Sequence, residues 1–288
     1  MDLAQRLLVP GHGFRLADRD PGDTDDVRKE EADQRRVEDL ERLAALQERL
    51  YAEGTRSLLV VLQAMDAAGK DGTIAHVMRG LNPQGVSVTS FKQPSTTELA
   101  HDFLWRAQLA LPRRGYVGVF NRSHYEDVLV VRVHPEYLSD QRIDPALGRD
   151  DDFWARRFDD IAAWERHLHR EGTRIVKFFL HVSKDEQRRR FLARAEEEHK
   201  HWKFSAGDVA ERAHWDAYQH AYEEALAATS TDHAPWYVIP ADHKWFMRTA
   251  VAAILVDHLE AMDPQYPELD GEEAAAMEAA VAALRAEG

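Results

Sequence analysis

The residues best suited to chemistry are Ala64-Met65-Asp66-Ala67-Ala68-Gly69-Lys70-Asp71-Gly72-Thr73. A glycine-containing turn that leads from a strand into a helix aims backbone N–H groups and the positive end of the helix dipole at one point, where phosphate binds. Gly69 lets the backbone come close, and Lys70 can reach a phosphoryl group in transfer. Contacts are expected from Ala67, Ala68, Gly69, Asp71, Gly72 and Thr73. The loop departs twice from G-x-x-x-x-G-K-[ST]: Ala64 replaces the first glycine, and Asp71 replaces the metal-binding hydroxyl. Asp66 puts a carboxylate where anions should sit, which a divalent cation between carboxylate and phosphate makes favourable. Asp66 is therefore read as a metal ligand, or as the group that orients the attacking oxygen. A purely structural turn and helix cap is the alternative.

A second acidic group follows the apolar run 116–121, in Arg122-Ser123-His124-Tyr125-Glu126-Asp127. Ligands of open α/β sheets bind at strand carboxyl ends. Asp127 can share a metal with Asp66 there, Arg122 can fork onto phosphate, and Glu126 turns to a different side. A charged first turn of an ordinary helix is the alternative. A third group is basic: Arg188, Arg189, Arg190, Arg194, Lys200 and Lys203 lie between positions 188 and 203, against Glu196, Glu197 and Glu198. Arg190 and Arg194 share a helix face. This stretch suits a lid, at about 184–207, that closes over phosphates and excludes water. A solvated helix with Trp202 and Phe204 anchored in the core is the alternative. Lys92 is a further candidate phosphate contact.

These groups need a frame to hold them. Continuous apolar runs at 57–63, 86–91, 116–121, 174–181 and 236–240 read as strands buried on both faces. Helical patterns lie between them, at 73–81, 97–111, 124–131, 151–170, 184–199 and 208–229. Upstream, Val37, Leu40, Leu43, Leu46 and Leu50 mark one helical face over 29–53. Downstream, Ala252, Leu255, Val256 and Leu259 mark another. This alternation predicts a three-layer α/β fold on a mostly parallel five-stranded sheet. Residues 1–27 read as an irregular arm, 28–265 as a single domain and 266–288 as an acidic tail helix. The absence of cysteine excludes disulfides and thiolate chemistry. With no apolar stretch long enough to span a bilayer, a cytoplasmic protein without membrane or nucleic-acid partners is expected. The net charge of −14 repels polyanions, so a polyanionic substrate requires the local basic track at 188–203.

At these residues the sequence closely resembles the polyphosphate kinase 2 family. The likeness rests on the 66–72 loop, Ser90-Phe91-Lys92-Gln93-Pro94-Ser95, residues 116–127, Lys200-His201-Trp202-Lys203-Phe204 and Ala234-Pro235-Trp236-Tyr237, in order along nearly the whole chain. The resemblance implies a P-loop kinase fold like that of thymidylate kinase, with a helical lid. It implies phosphoryl transfer from inorganic polyphosphate to nucleoside mono- and diphosphates, AMP to ADP and ADP to ATP, with magnesium or alternatively manganese. By the same resemblance Asp66 and Asp127 hold the metal, Lys70 and Arg122 bind the reacting phosphates, and Arg190 and Arg194 support them from the lid. One departure is Glu196-Glu197-Glu198-His199, where the family often has Asp-Pro or Asn-Pro. An ATP-dependent kinase of the same fold and a non-catalytic nucleotide or polyphosphate sensor are the competing readings. Exposed helices at both ends favour a dimer or tetramer.

Overall fold

The computed structural model of the chain describes residues 3–144 and 151–287; the first two residues of the arm and the last of the tail lie outside them. Five strands, β1 (Ser57–Ala64), β2 (Val86–Ser90), β3 (Val117–Asn121), β4 (Thr173–His181) and β5 (Trp236–Pro240), pair in parallel in the order β2-β3-β1-β4-β5. Every residue of β1 is buried. Its sequence Ser-Leu-Leu-Val-Val-Leu-Gln-Ala is apolar without alternation because it has a layer of helices above and below. Leu58 pairs with Val117 on one side and Arg174 on the other, so the carboxyl ends of β1, β3 and β4 finish together.

Helices α1 (Leu3–Leu7), α2 (Lys29–Glu53), α3 (Lys70–Val77) and α10 (Lys244–Met262) pack together on one side of the sheet. α10 is apolar around its whole circumference and buries thirteen residues, as a helix between the sheet and α2 must. On the other side lie α5 (Val130–Val133), α6 (Asp151–Arg170) and α9 (Trp215–Thr229). Helix α2 differs in detail from its sequence pattern. Val37 is exposed, whereas Asp39 and Gln47 are buried. Arg35 and Arg42 flank the Asp39 carboxylate, and Gln47 accepts the Asn82 N–H, so each is partly compensated inside, although Asp39 Oδ2 and Gln47 Nε2 are buried without a hydrogen-bond partner.

The arm before α2 is more ordered than its composition suggests. Leu3, Leu7, Val9, Phe14 and Leu16 are buried. Leu8 makes an antiparallel bridge to Tyr237 on edge strand β5, and Val9 N donates to Trp236 O at 2.9 Å. At the other terminus α11 (Gly271–Ala286) begins with a capping box, Asp270 with Glu273, and buries none of its residues.

Two expected helices are broken. The 97–111 stretch forms a 3-10 turn (Glu98–Ala100) and the short α4 (Trp105–Leu109), because the Asp102 side chain accepts the Leu104 N–H. The 124–131 stretch forms a 3-10 turn (His124–Asp127) before α5. The Asp127 carbonyl, which a continuous helix would use internally, instead accepts from Arg157.

Candidate active site

The phosphate loop leaves β1 and turns into α3 with Gly69 at the cap, at φ 114°, a conformation that a side chain would strain. Ala67 is also left-handed, at φ 59°. Such strain in a non-glycine residue persists only where the surroundings enforce it, and here the lid helix α7 (Lys184–Glu196) does so. Gln187 donates to Asp66 O at 2.9 Å. Arg190 Nη1 donates to Ala68 O at 2.5 Å and Ala67 O at 3.2 Å, while Nη2 donates to Ala241 O at 2.5 Å and Asp242 O at 3.2 Å. Its Nε meets Glu186 at 2.6 Å. Arg190, expected to contact phosphate from the lid, also holds the loop through these carbonyls.

Above the loop lies a cleft of about 710 Å3. Asp66, Ala67, Ala68, Gly69, Lys70, Asp71 and Gly72 form its floor, and Lys92, Arg122, Arg190, Arg194, Lys200 and Lys203 are in its walls. Thr73 is not: it is fully buried and its hydroxyl turns back to Gly69 O at 3.1 Å. Lys70 Nζ donates to Ala64 O at 2.7 Å. Burial, reinforced by the charge of Arg122, pushes its amine down to about 8. Asp71 accepts from Asn121 at 2.8 Å, which ties the first turn of α3 to the end of β3.

Arg122, left-handed at φ 61°, is the centre of the charge arrangement. It meets Asp66 at 2.5 Å and Glu126 at 3.1 Å, and those carboxylates raise its already high pKa against the cost of burial. Asp66 and Arg122 are thus brought together. Asp127 faces elsewhere. It lines a separate cavity of about 320 Å3 with Phe103, Arg106, Gln141, Ile143, Phe153 and Arg157. Gln141 donates to its carboxylate at 2.6 Å and Arg106 at 3.5 Å. Burial outweighs the charges of Arg106 and Arg157 and the Gln141 hydrogen bond, and raises its pKa. Arg157 lies over the rings of Phe103 and Phe153, at 4.7 and 4.8 Å, and reaches both Asp127 O and Gln141. Arg106, in the wall of the smaller cavity, donates at 2.9 Å to the carbonyl of Lys92, in the wall of the larger one.

Under the second acidic group lies a charged pair without solvent. Lys177 on β4 donates to Glu165 at 2.5 Å, to Tyr125 OH at 2.8 Å and to Thr229 O at 2.8 Å. Tyr125 in turn donates to Glu165 at 2.9 Å. Burial works against the Glu165 carboxylate, yet Lys177 and His124 hold it below its usual range. This network fixes the turn that carries Glu126 and Asp127.

Beyond α7 the lid continues as a 3-10 segment, Glu198–Lys203. Trp202 is 79% exposed, and Lys203 lies over its ring at 4.7 Å, so neither Trp202 nor the exposed Phe204 is a core anchor. Arg194 reaches Lys203 O at 3.3 Å, and Lys200 pairs with Glu197 at 2.5 Å. Among the described residues, no three acidic or histidine side chains converge into a metal cage.

The sequence reading missed Arg106, Arg157 and Gln141, which tertiary contacts alone bring to Asp127. It also missed Lys244 and Arg248, which line the larger cleft. These two carried a usable signal: they sit four apart just after the carboxyl end of a strand.

The family model described as polyphosphate kinase 2 matches residues 26–267. The chain belongs to the polyphosphate kinase 2 family. It is 54% identical over 229 residues to the ADP-polyphosphate phosphotransferase of Rhodopseudomonas palustris, covering 80% of this chain and 79% of that protein. It is 50% identical over 265 residues to the AMP/ADP-polyphosphate phosphotransferase of Meiothermus ruber, covering 91% and 94%. The crystal structure of polyphosphate kinase 2 from Arthrobacter aurescens superposes with a TM-score of 0.88 at 44% identity, covering 97% of this chain and 96% of that one. The five-stranded parallel sheet with its phosphate loop after the central strand is therefore the P-loop kinase fold of polyphosphate kinase 2. Among the described residues, no helix is long and apolar enough to cross a membrane.

Proposed function

We propose that the protein transfers a phosphoryl group from inorganic polyphosphate to AMP and ADP, forming ADP and ATP. The observation that carries this reading is a pair of unlike cavities whose walls are joined by the Arg106–Lys92 hydrogen bond. One is a long cationic cleft over the phosphate loop, suited to a chain of phosphates; the other is smaller, with aromatic and arginine walls, suited to a base and its phosphates. The similarity to the ADP-polyphosphate phosphotransferase of Rhodopseudomonas palustris and the AMP/ADP-polyphosphate phosphotransferase of Meiothermus ruber supports this reading.

In the reaction, the terminal phosphate oxygen of the acceptor attacks the end phosphorus of polyphosphate. The bond from that phosphorus to its bridging oxygen breaks, and the donor leaves one phosphate shorter. Lys70 and the loop amides hold the transferring group, and Arg122 stabilises the charge that spreads over its oxygens. Arg190 and Gln187 keep the loop in the shape these contacts need.

Asp66, in the donor cleft, and Asp127, in the acceptor cavity, are the carboxylates that would hold magnesium. Among the described residues neither stands in a cage of three acidic or histidine side chains, which suits a small cation that keeps several waters and completes its shell with substrate phosphates; manganese shares the preference for oxygen. Magnesium supplies neutralisation of the phosphate charge. The reading also places the protein in the cytoplasm as a dimer or tetramer, with exposed Met277 and Leu284 of α11 available for association.

The test incubates purified protein with magnesium, polyphosphate and either AMP or ADP, and quantifies ADP and ATP. A second arm replaces polyphosphate by ATP, with AMP as acceptor. Absence of product from polyphosphate with both acceptors, at several ionic strengths, overturns the reading.

A further inference from the structure

Nearly every arginine around the cleft is already engaged. Arg190 holds backbone carbonyls, Arg189 forks onto Glu186 and Arg122 bridges Asp66 and Glu126. Lys244 and Arg248 differ. They lie four apart at the start of α10 and line the same cleft. Among the described residues, no carboxylate oxygen lies within ion-pair distance of either, and Arg248 Nε is buried without a hydrogen-bond partner. Other cations surround them instead. After burial itself, Arg190 is the main influence lowering the pKa of Lys244, and Arg36 and Arg190 act in the same way on Arg248. At Gly72 an added Cβ would lie 3.5 Å from Arg248 Nη2, so the pair adjoins the phosphate loop itself. In a chain with 51 acidic residues, an exposed lysine and a partly buried arginine that share a cleft wall with no carboxylate in ion-pair distance are suited to bind an anion, although Glu186 lies near enough to act on Lys244.

The topology gives that anion a direction. The loop follows β1, the middle strand of β2-β3-β1-β4-β5. The cavity with Asp127 lies on the β3 side, whereas α10 follows β5 on the other. An in-line displacement keeps the attacking oxygen and the leaving group on opposite sides of the phosphorus. With the acceptor in the β3-side cavity, the departing chain points toward α10.

We propose that Lys244 and Arg248 form a donor subsite that grips phosphates beyond the one being transferred, and so favours long polyphosphate over short. This rests on the donor reading above. The ligand is a linear polyphosphate tail, bound by charge and without base recognition.

The experiment compares long-chain polyphosphate with tripolyphosphate as donors at saturating ADP, for wild type, Lys244→Gln, Arg248→Gln and the double variant. Each single change should lower the long-to-short ratio of kcat/KM about ten-fold, through KM for the long donor, the scale of one lost charge-assisted contact. The KM for ADP should stay within about two-fold. Direct binding of long-chain polyphosphate without nucleotide should weaken and lose part of its salt dependence, because fewer counterions are released. Lys244→Arg should retain the wild-type ratio, which separates charge from fold. Equal losses on both donors, or an unchanged ratio, overturn the subsite. Wild-type protein that makes no product from either donor overturns the functional reading instead.

Discussion

Replacing Arg190 by methionine separates two roles that are easily confused. If the residue only binds substrate phosphate, its loss should weaken donor binding and leave the ligand-free protein as stable as before. The geometry predicts otherwise. The side chain is 6% exposed, and three of its contacts are short: Ala68 O at 2.5 Å, Ala241 O at 2.5 Å and Glu186 at 2.6 Å. At about 1 kcal/mol net for each, their loss costs about 3 kcal/mol. Glu186 keeps Arg189 as a partner, so no further charge is stranded. For a chain of this size, 3 kcal/mol lowers the melting midpoint by roughly 6–12 °C. Scanning calorimetry on ligand-free protein measures this, with Arg194→Met as the control. Arg194 reaches Lys203 O at 3.3 Å and Asp208 at 3.9 Å, both long and open to solvent on one side, so its loss should cost within about 1 kcal/mol. A ligand-free midpoint for Arg190→Met within about 2 °C of wild type, together with a raised KM for polyphosphate, would refute the loop-holding role.

Three other outcomes are expected. Lys177→Met should destabilise by about 3–5 kcal/mol because Glu165 is left charged and buried, while adding Glu165→Gln should restore much of the loss; additive costs in a urea-denaturation cycle would contradict the pairing. Asp66→Asn and Asp127→Asn should each lower turnover by about 100-fold or more while circular dichroism stays unchanged, and near-normal rates would remove the metal assignment. The fall of the Lys70 pKa from 10.5 to about 8 has opposite effects on rate and stability. Between about 8 and 10.5 the unfolded chain holds a proton that the folded one has released, so this group makes stability rise with pH in that window. With the charged amine as the proposed phosphate contact, kcat/KM for the free enzyme should fall above about pH 8; a flat profile to pH 10 would exclude that role for Lys70.

Strands β1, β3, β4 and β5 were legible because a sheet covered on both faces needs apolar runs, and 236–240 coincides with β5; the edge strand β2 departs from the expected burial on both faces, since none of its residues is fully buried and Val88 is exposed. The phosphate loop was legible for a different reason: its function depends on local chain geometry, so its residues are contiguous. Asp127 shows where contiguity stops helping. Its position five residues after Arg122 suggested one shared cleft, yet Arg157 and Gln141, from distant parts of the chain, turn it into the neighbouring cavity. Arg190 teaches the same lesson in reverse. Beside the expected role, a cation for phosphate, it has carbonyl contacts that only the folded arrangement of α7 beside the loop creates. Helix 97–111 failed because one Asx turn at Asp102 competes with the backbone ladder.

The arm that reaches β5 carries a practical consequence. A strand at the margin of a sheet offers unpaired amides and carbonyls to any extended chain that arrives. The Leu8 bridge and the Val9 amide occupy part of that margin, and Leu3, Leu7, Phe14 and Leu16 seal the grease beside it. The family match begins at residue 26, so trimming the gene to that boundary would uncork the sheet and bare those side chains. A minimal version for expression should keep the first residues and carry any affinity tag at the other end, where α11 stands clear of the body.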